Sequence, residues 1–165
     1  MRDERLDQDT NSSEETRKAH GQETGADFML IPSRFELALE LGGEIPRLAV
    51  DGTELQQVLV NLVKNASQAM TTGGTLTLST GENSDGVWVS VGDTGGGIPQ
   101  EQINRIFEPF YTTKKKGTGL GLMIVQRIVR AHNGRIDLES NVGKGTTFRV
   151  WLPLHERKPR LLEAK

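Results

Sequence analysis

The sequence predicts an α+β fold, a two-layer α/β sandwich in which a mixed, mainly antiparallel sheet carries helices on one face. Two observations lead to this fold class. Short segments with alternating apolar residues are interspersed with two longer segments of helical periodicity. Neighbouring strand segments are also joined by short turns rich in glycine and asparagine, which is typical of antiparallel pairs.

Length and composition exclude several classes of protein. The chain has 165 residues, no cysteine and a formal net charge of −2. It is long enough for one domain with its own core, and it can form neither disulfides nor a thiolate metal site. The small net charge argues against nucleic acid as a partner, and no apolar run is long enough for a membrane segment. We expect a cytoplasmic location.

Three regions follow from the distribution of apolar residues. Residues 1–27 are acidic and nearly free of large apolar side chains, so we expect a disordered tail or linker. Residues 28–154 contain every periodic segment and form the predicted domain. Residues 155–165 are predicted to be a charged C-terminal tail.

The first part of the domain is predicted to contain two strands and a helix. Apolar residues alternate over Phe35–Leu41, which predicts a half-buried strand, and residues 48–50 predict a short second strand. Asp51 and Glu54 have the spacing of a capping box. The apolar stripe that follows them predicts a helix that runs to about Met70.

A hairpin and a long loop are predicted next. Alternation predicts strands around residues 76–78 and 87–91, joined by a turn near residues 83–86. Residues 94–117 contain only a short helical pattern, near residues 100–107. A loop of this length inside a compact domain is usually functional or disordered.

The last part of the domain is predicted to contain a helix and two strands. Helical spacing extends from about residue 118 to residue 132, and Asn133-Gly134 provides a stop signal. Residues 135–140 and 146–152 predict the final strands. In the second of these strands, one face carries the apolar residues Phe148, Val150 and Leu152.

Asp93 is the first candidate for a functional side chain. Period-two counting places it on the core face of the strand that contains the valines at 87–91. A carboxylate on that face needs hydrogen-bond partners. The exocyclic amine of adenine is one such partner, and capping of the glycine-rich turn that follows is the alternative.

Two asparagines form the second candidate. Asn61 and Asn65 are spaced i, i+4 on the first predicted helix, so they project from one flank of it. Their carbonyl oxygens suit Mg²⁺, which takes few protein ligands and keeps several waters. The alternative is a pair of solvated polar residues.

Glycines and cations form the third candidate. Residues 117–122 read Gly-Thr-Gly-Leu-Gly-Leu at a predicted helix start, where backbone amides could hold a polyphosphate or form a hinge. The spacing is neither that of a P-loop nor that of the dinucleotide fingerprint. Arg105 and residues 114–116, three lysines, lie in or near the long loop and could neutralise phosphate charge or form a solvated run.

Five motifs in order resemble the ATP-binding catalytic domain of sensor histidine kinases, within the Bergerat-fold ATPase superfamily. They are the N box at 57–66, the first glycine box at 93–99, the F box at 105–110, the second glycine box at 117–122 and the terminal Gly-Thr-Phe motif at 143–148. The resemblance covers roughly residues 35–153 and implies the Bergerat ATP-binding fold.

The resemblance also implies residue roles. Asp93 would bind the adenine amine, Asn65 would be the main Mg²⁺ ligand with Asn61 assisting, and residues from about 97 to 117 would form a lid. The residues implied to be catalytic are Asn61, Arg105, which would face the γ-phosphate, and Lys114. The residues implied to contact ATP are Asn65, Asp93, Gly95, Gly97, Ile98, Phe110, Lys114, Gly117, Thr118, Gly119, Leu120, Gly121, Leu122 and Thr147, or Thr146 beside it.

Two departures from the family pattern affect these expectations. The commonest N box has a lysine at the position of Gln68. The segment 111–114, Tyr-Thr-Thr-Lys, resembles the nitrogen-regulation and oxygen-sensing branch, and we infer that Lys114 supplies the missing cation. His20 lacks the surroundings of an acceptor motif, so the acceptor histidine is expected on a separate dimerisation domain.

The function implied by the resemblance is that of a protein histidine kinase catalytic domain. It would present Mg·ATP for transfer of the γ-phosphoryl group to the acceptor histidine, with a response regulator as a further partner. An ATP-gated conformational ATPase module and an anti-sigma-type Ser/Thr kinase are the alternatives. The ATPase relatives usually have glutamate where this chain has Asn61, and an amide takes no proton from water at neutral pH. The F box and the form of the second glycine box disfavour the anti-sigma type.

Overall fold

The computed structural model describes residues 34–84, 86–114 and 117–154. The predictions for residues 1–27, 115–116 and 155–165 lie outside the described residues. So do residues 28–33, at the start of the predicted domain, and residue 85 of the predicted turn. In chain order, the described part contains β1 (Phe35–Leu41), α1 (Gly52–Ala69), β2 (Gly74–Asn83), β3 (Gly86–Asp93), α2 (Gln100–Ile103), α3 (Gly121–Ala131), β4 (Arg135–Asn141) and β5 (Gly145–Pro153).

The strands form one mixed sheet in the order β1-β2-β3-β5-β4. β1 and β2 are parallel, and the other three neighbouring pairs are antiparallel. α1 packs on β2, β3 and β5, α3 packs on β4 and β5, and the two helices contact each other. The predicted α+β sandwich is therefore confirmed. No helix among the described residues is both long and apolar enough to cross a membrane.

The core lies between the two long helices and the sheet. Its buried residues repeat with the period of the helix or strand that carries them, 3.6 in helices and 2 in strands. They include Val58, Leu62 and Ala66 of α1, Val125, Ile128 and Val129 of α3, and Leu76, Val91, Phe148, Val150 and Leu152 of the sheet. Each large side chain buried in this way contributes about 1.5–3 kcal/mol to folding. The predicted shared face of β5 is confirmed.

The first helix begins where the sequence predicts, but its capping box is only half formed. The Asp51 carboxylate accepts hydrogen bonds from the amides of Thr53 and Glu54 at 2.8 and 3.2 Å. The carboxylate of Glu54 lies 3.7 Å from Nδ1 of His132 instead of returning to the Asp51 amide. That amide donates to Nε2 of His132 at 3.3 Å. The start of α1 is thereby tied to the end of α3.

One predicted strand does not form, and two predicted helix boundaries are wrong. Residues 48–50 form no strand, because they have no strand partner, although Leu48 and Val50 still pack on the core. The short helix α2 ends at Ile103 and is followed by turns. α3 begins at Gly121, three residues late, because Gly119 has φ +68°, which a right-handed helix does not allow.

The burial predicted for β1 is also wrong. Leu37, Leu39 and Leu41 are 47%, 57% and 64% exposed. In register, Leu37 and Leu39 stand beside Leu76 and Leu78 of β2, so they are on the helix-bearing side of the sheet. They remain exposed because β1 is at the edge of the sheet and neither long helix packs on it within the described residues.

Candidate functional site

A cavity of about 550 Å³ lies between α1, the ends of β3 and β5, and the segment that precedes α3. Its volume is within the range of about 300–1,000 Å³ that small-molecule sites occupy. The asparagine pair, the aspartate and both glycine-rich segments are separated in the chain but meet at this cavity.

Asp93 lies on the wall of the cavity at the end of β3, in register with Leu76 of β2 and Thr146 of β5. Its Oδ1 accepts a hydrogen bond from the Gly95 amide at 2.8 Å. Partial burial raises the pKa of Asp93, while backbone hydrogen bonds from Gly95 and Thr146 and the charge of Lys114 act in the opposite direction. A carboxylate has about four acceptor sites, so this group can still accept from a ligand N–H.

Asn61 and Asn65 both line the cavity from one flank of α1, as their spacing predicts. Nδ2 of Asn61 donates to the carbonyl of Gln57 at 3.0 Å. Its Oδ1 faces the start of α3, where a Cβ added to Gly121 would lie 3.2 Å from it. Oδ1 of Asn65 accepts a hydrogen bond from Nζ of Lys114 at 2.9 Å.

The contact between Asn65 and Lys114 bears on whether the asparagine pair fits Mg²⁺. An ammonium already rests on the Asn65 oxygen, so this position attracts positive charge. Uncharged amide oxygens are also hard donors, which Mg²⁺ prefers. Among the described residues no group of three or more His, Cys, Asp or Glu side chains could hold a metal ion. The two asparagine oxygens are donors of the kind that fits Mg²⁺.

Lys114 lines the cavity and reaches α1 with its side chain. Its Nζ donates both to Oδ1 of Asn65 and, at 2.7 Å, to Oε1 of Gln68. Partial burial lowers the pKa of Lys114, the negative charge of Asp93 opposes this shift, and the nearby charge of Lys64 adds to it. The lysine therefore brings a cation from the loop to α1, on the side of the cavity that holds the amide oxygens.

Just before α3, Gly119 is in close backbone contact with Phe110. The amide of Phe110 donates to the carbonyl of Gly119 at 3.1 Å. Gly119 has φ +68°, and a Cβ there would collide with the backbone of Phe110. Glycine is thus required at 119 for both conformation and close approach.

Most of the predicted site residues line the cavity. They are Asn61, Asn65, Asp93, Gly97, Ile98, Lys114, Gly117, Thr118, Gly119, Leu120, Gly121 and Leu122. Four predicted residues are not part of its lining, namely Gly95, Arg105, Phe110 and Thr147.

Three of these four residues, Arg105, Phe110 and Thr147, have side chains placed elsewhere in the structure. Arg105 forms an ion pair with Glu108 at 3.6 Å and lies 4.6 Å over the ring of Tyr111. Phe110 is 74% exposed. Thr147 points away from the cavity because it is on the opposite face of β5 from Thr146, which is buried and does line the cavity.

Two buried apolar residues that line the cavity were not predicted as site residues from the sequence. Ile106 and Phe148 line the cavity, and both are buried in the core cluster. Their positions inside the F box and the terminal motif were the available signal that they also shape the site.

The comparison with protein families agrees with this geometry. Residues 50–156 match the family described as histidine kinase-, DNA gyrase B-, and HSP90-like ATPase. The match covers more than half of the chain, so the chain belongs to this family.

Curated relatives narrow the class to sensor histidine kinases. Sporulation kinase C of Bacillus subtilis (strain 168) is 48% identical over 104 residues, which cover 63% of this chain and 24% of that protein. Sensor histidine kinase ZraS of Escherichia coli (strain K12) is 42% identical over 120 residues, covering 73% of this chain and 26% of that protein. The chain thus spans about a quarter of the length of these relatives.

Solved structures give the same class. The catalytic domain of histidine kinase ThkA has a TM-score of 0.67 and 37% identity, covering 73% of this chain and 80% of that chain. Full-length ShkA, solved in complex with AMPPNP, has a TM-score of 0.65 and 32% identity, covering 72% of this chain and 25% of that chain. The chain is a catalytic domain of the sensor histidine kinase type.

Proposed function

We propose that this domain binds Mg·ATP and presents its γ-phosphoryl group for transfer to a histidine on a separate dimerisation domain. The observation that carries the proposal is the cavity itself, with the partly buried carboxylate of Asp93 on its wall and Asn65 and Lys114 also lining it. The relative ShkA has been solved with the ATP analogue AMPPNP, which supports a nucleotide as the ligand.

The adenine would bind at the Asp93 end of the cavity. The carboxylate of Asp93 would accept a hydrogen bond from the exocyclic amine, a contact that the carbonyl groups of uracil and thymine and the O6 carbonyl of guanine do not offer. Ile98, Ile106 and Phe148 would pack against the purine ring. Because Ile106 and Phe148 belong to the core, this surface is preformed and loses little side-chain entropy on binding.

The polyphosphate would bind at the other end of the cavity. Asn65, assisted by Asn61, would hold Mg²⁺, which neutralises phosphate charge when it is bound. Lys114 would provide a further positive charge. The backbone amides at the start of α3, from Gly119 to Gly121, would donate to phosphate oxygens, where the helix dipole favours negative charge.

The proposed transfer requires no covalent participation by this domain. The bond between the γ-phosphorus and its bridging oxygen breaks, the electron pair leaves with ADP, and a phosphorus–nitrogen bond forms with the acceptor imidazole. The imidazole proton passes to a base of the acceptor domain or to solvent. Asn61 takes up no proton, so this chain contributes positioning and charge neutralisation. A response regulator would then receive the phosphoryl group. Both transfers would take place in the cytoplasm.

Two measurements test this function. Calorimetry with AMPPNP and Mg²⁺ should show one site per chain. Labelled ATP, added together with a dimerisation domain from the full-length protein, should then label that domain in an acid-labile, base-stable form. An absence of AMPPNP binding would reject the proposal, and phosphate release without labelling would favour the ATPase alternative.

A further inference from the structure

We propose that Gln68 is a positioning residue that holds the Lys114 ammonium on the Asn65 oxygen, and that Mg²⁺ replaces this ammonium when nucleotide binds. The exchange with Mg²⁺ rests on the proposed function. The hydrogen bonds among the three side chains do not, because they form within the protein.

The geometry of α1 makes this arrangement specific. Gln68 follows Asn65 by three residues, so the two amide groups are neighbours on one helix surface. Nζ of Lys114 lies 2.9 Å from Oδ1 of Asn65 and 2.7 Å from Oε1 of Gln68, so one ammonium links both oxygens. Ammonium has three donors, and two of them are used in this way.

The backbone of Lys114 makes two local hydrogen bonds. The Lys114 amide donates to Oγ1 of Thr112 at 3.1 Å, and its carbonyl accepts from the amide of Gly117 at 3.1 Å. These two bonds hold the backbone of Lys114, and Asn65 and Gln68 hold the end of its side chain.

Lys114 and Mg²⁺ compete for the same oxygen. A magnesium ligand lies about 2.1 Å from the metal. Two cations on one amide oxygen in a partly buried cavity would therefore repel each other strongly. The ammonium has to leave Asn65 when the metal arrives, and it is then free to approach the phosphates. Gln68 is uncharged, so it holds the lysine by a hydrogen bond that this exchange can break.

The first experiment tests the hydrogen bonds without nucleotide. In protein labelled with ¹⁵N at lysine Nζ, an ammonium held by two oxygens exchanges protons slowly with water and gives an observable signal, which Lys114→Met assigns. We expect Gln68→Ala to remove this signal. Gln56→Ala changes an exposed glutamine of the same helix that does not line the cavity, and the signal should remain. Persistence of the signal in Gln68→Ala would overturn the positioning role.

The second experiment tests the exchange. We expect Gln68→Ala to bind AMPPNP about three- to tenfold more tightly with Mg²⁺, because one hydrogen bond no longer opposes release of Lys114. The gain should disappear in EDTA and in the Lys114→Met background. Weaker binding, an equal gain without Mg²⁺, or a gain that survives in Lys114→Met would each overturn the exchange. If the wild type binds no AMPPNP while the lysine signal behaves as expected, the proposed function and the exchange fail and the positioning role stands.

Discussion

The amide nitrogen of Gly95 lies 2.8 Å from Oδ1 of Asp93. Gly95 itself has no space for a side chain, since a Cβ would lie 2.7 Å from the carbonyl oxygen of Ala69 and 2.8 Å from Oδ1 of Asp93. This glycine therefore orients the acid and packs on the end of α1. In the first glycine box, Gly95 thus supports the Asp93 carboxylate through its backbone amide.

Asp93→Asn should reduce AMPPNP affinity about 30- to 100-fold, because an acceptor of the adenine amine becomes partly a donor. The measurement is calorimetry with Mg²⁺ present. If the affinity stays within twofold of the wild type, Asp93 does not contact the base.

The melting temperature of Asp93→Asn provides a control for the folding of this variant. Burial raises the pKa of Asp93, so ionisation of this group opposes folding as pH rises from its ordinary value of 3.8 through the raised one. Asparagine removes that penalty. We therefore expect the melting temperature of Asp93→Asn, relative to the wild type, to increase between pH 4 and pH 7, which would separate lost binding from lost folding.

Asn65→Ala should remove most of the Mg²⁺ dependence of nucleotide affinity, because it deletes the amide oxygen that now holds Lys114. AMPPNP titrations in Mg²⁺ and in EDTA should give affinities within about threefold of each other in this variant, with some binding through the adenine retained. A wild-type ratio between the two conditions would assign the metal to other ligands.

Thr146 and Thr147 are a matched pair for testing which face of β5 meets the ligand. Thr146 is buried, lines the cavity and has its Oγ1 2.9 Å from Oγ of Ser140. Thr146→Val should weaken AMPPNP binding about three- to tenfold through loss of a polar group on the wall. Thr147→Val should leave affinity within about twofold. The reverse order would restore Thr147 as the contact residue.

Asp51 links the stability of the fold to pH. The amides of Glu54 and Thr53 lower the pKa of Asp51 below 3.8. Its cap therefore stabilises the fold above the ordinary pKa, and this contribution is lost as pH falls through the lowered value. Asp51→Ala should lower the melting temperature by about 4 °C at pH 7, and by less at pH 3. Asp51→Asn, which keeps an acceptor, should lose less than Asp51→Ala. An equal loss at both pH values would contradict the capping role.

Much of the site could be predicted because it depends on local periodicity. The i, i+4 spacing placed Asn61 and Asn65 on one flank, and strand alternation placed Asp93 on the core face. The choice between Thr146 and Thr147 was also present in the sequence, since Thr146 shares the parity of Phe148. Gly95 was assigned to the ligand because glycine boxes suggest close approach, whereas its neighbour in the structure is the end of α1.

The sequence by itself determined most of the strands and helices, which of their side chains share a face, and the order of the motifs, because these follow from neighbours a few residues apart. Only the tertiary structure showed that the leucines of β1 stay exposed and that Lys114 meets Gln68, 46 residues away. Periodicity shows which side chains share a face, but not whether another segment covers that face. The path of a loop between distant motifs likewise depends on contacts that form only when the sheet and helices have packed.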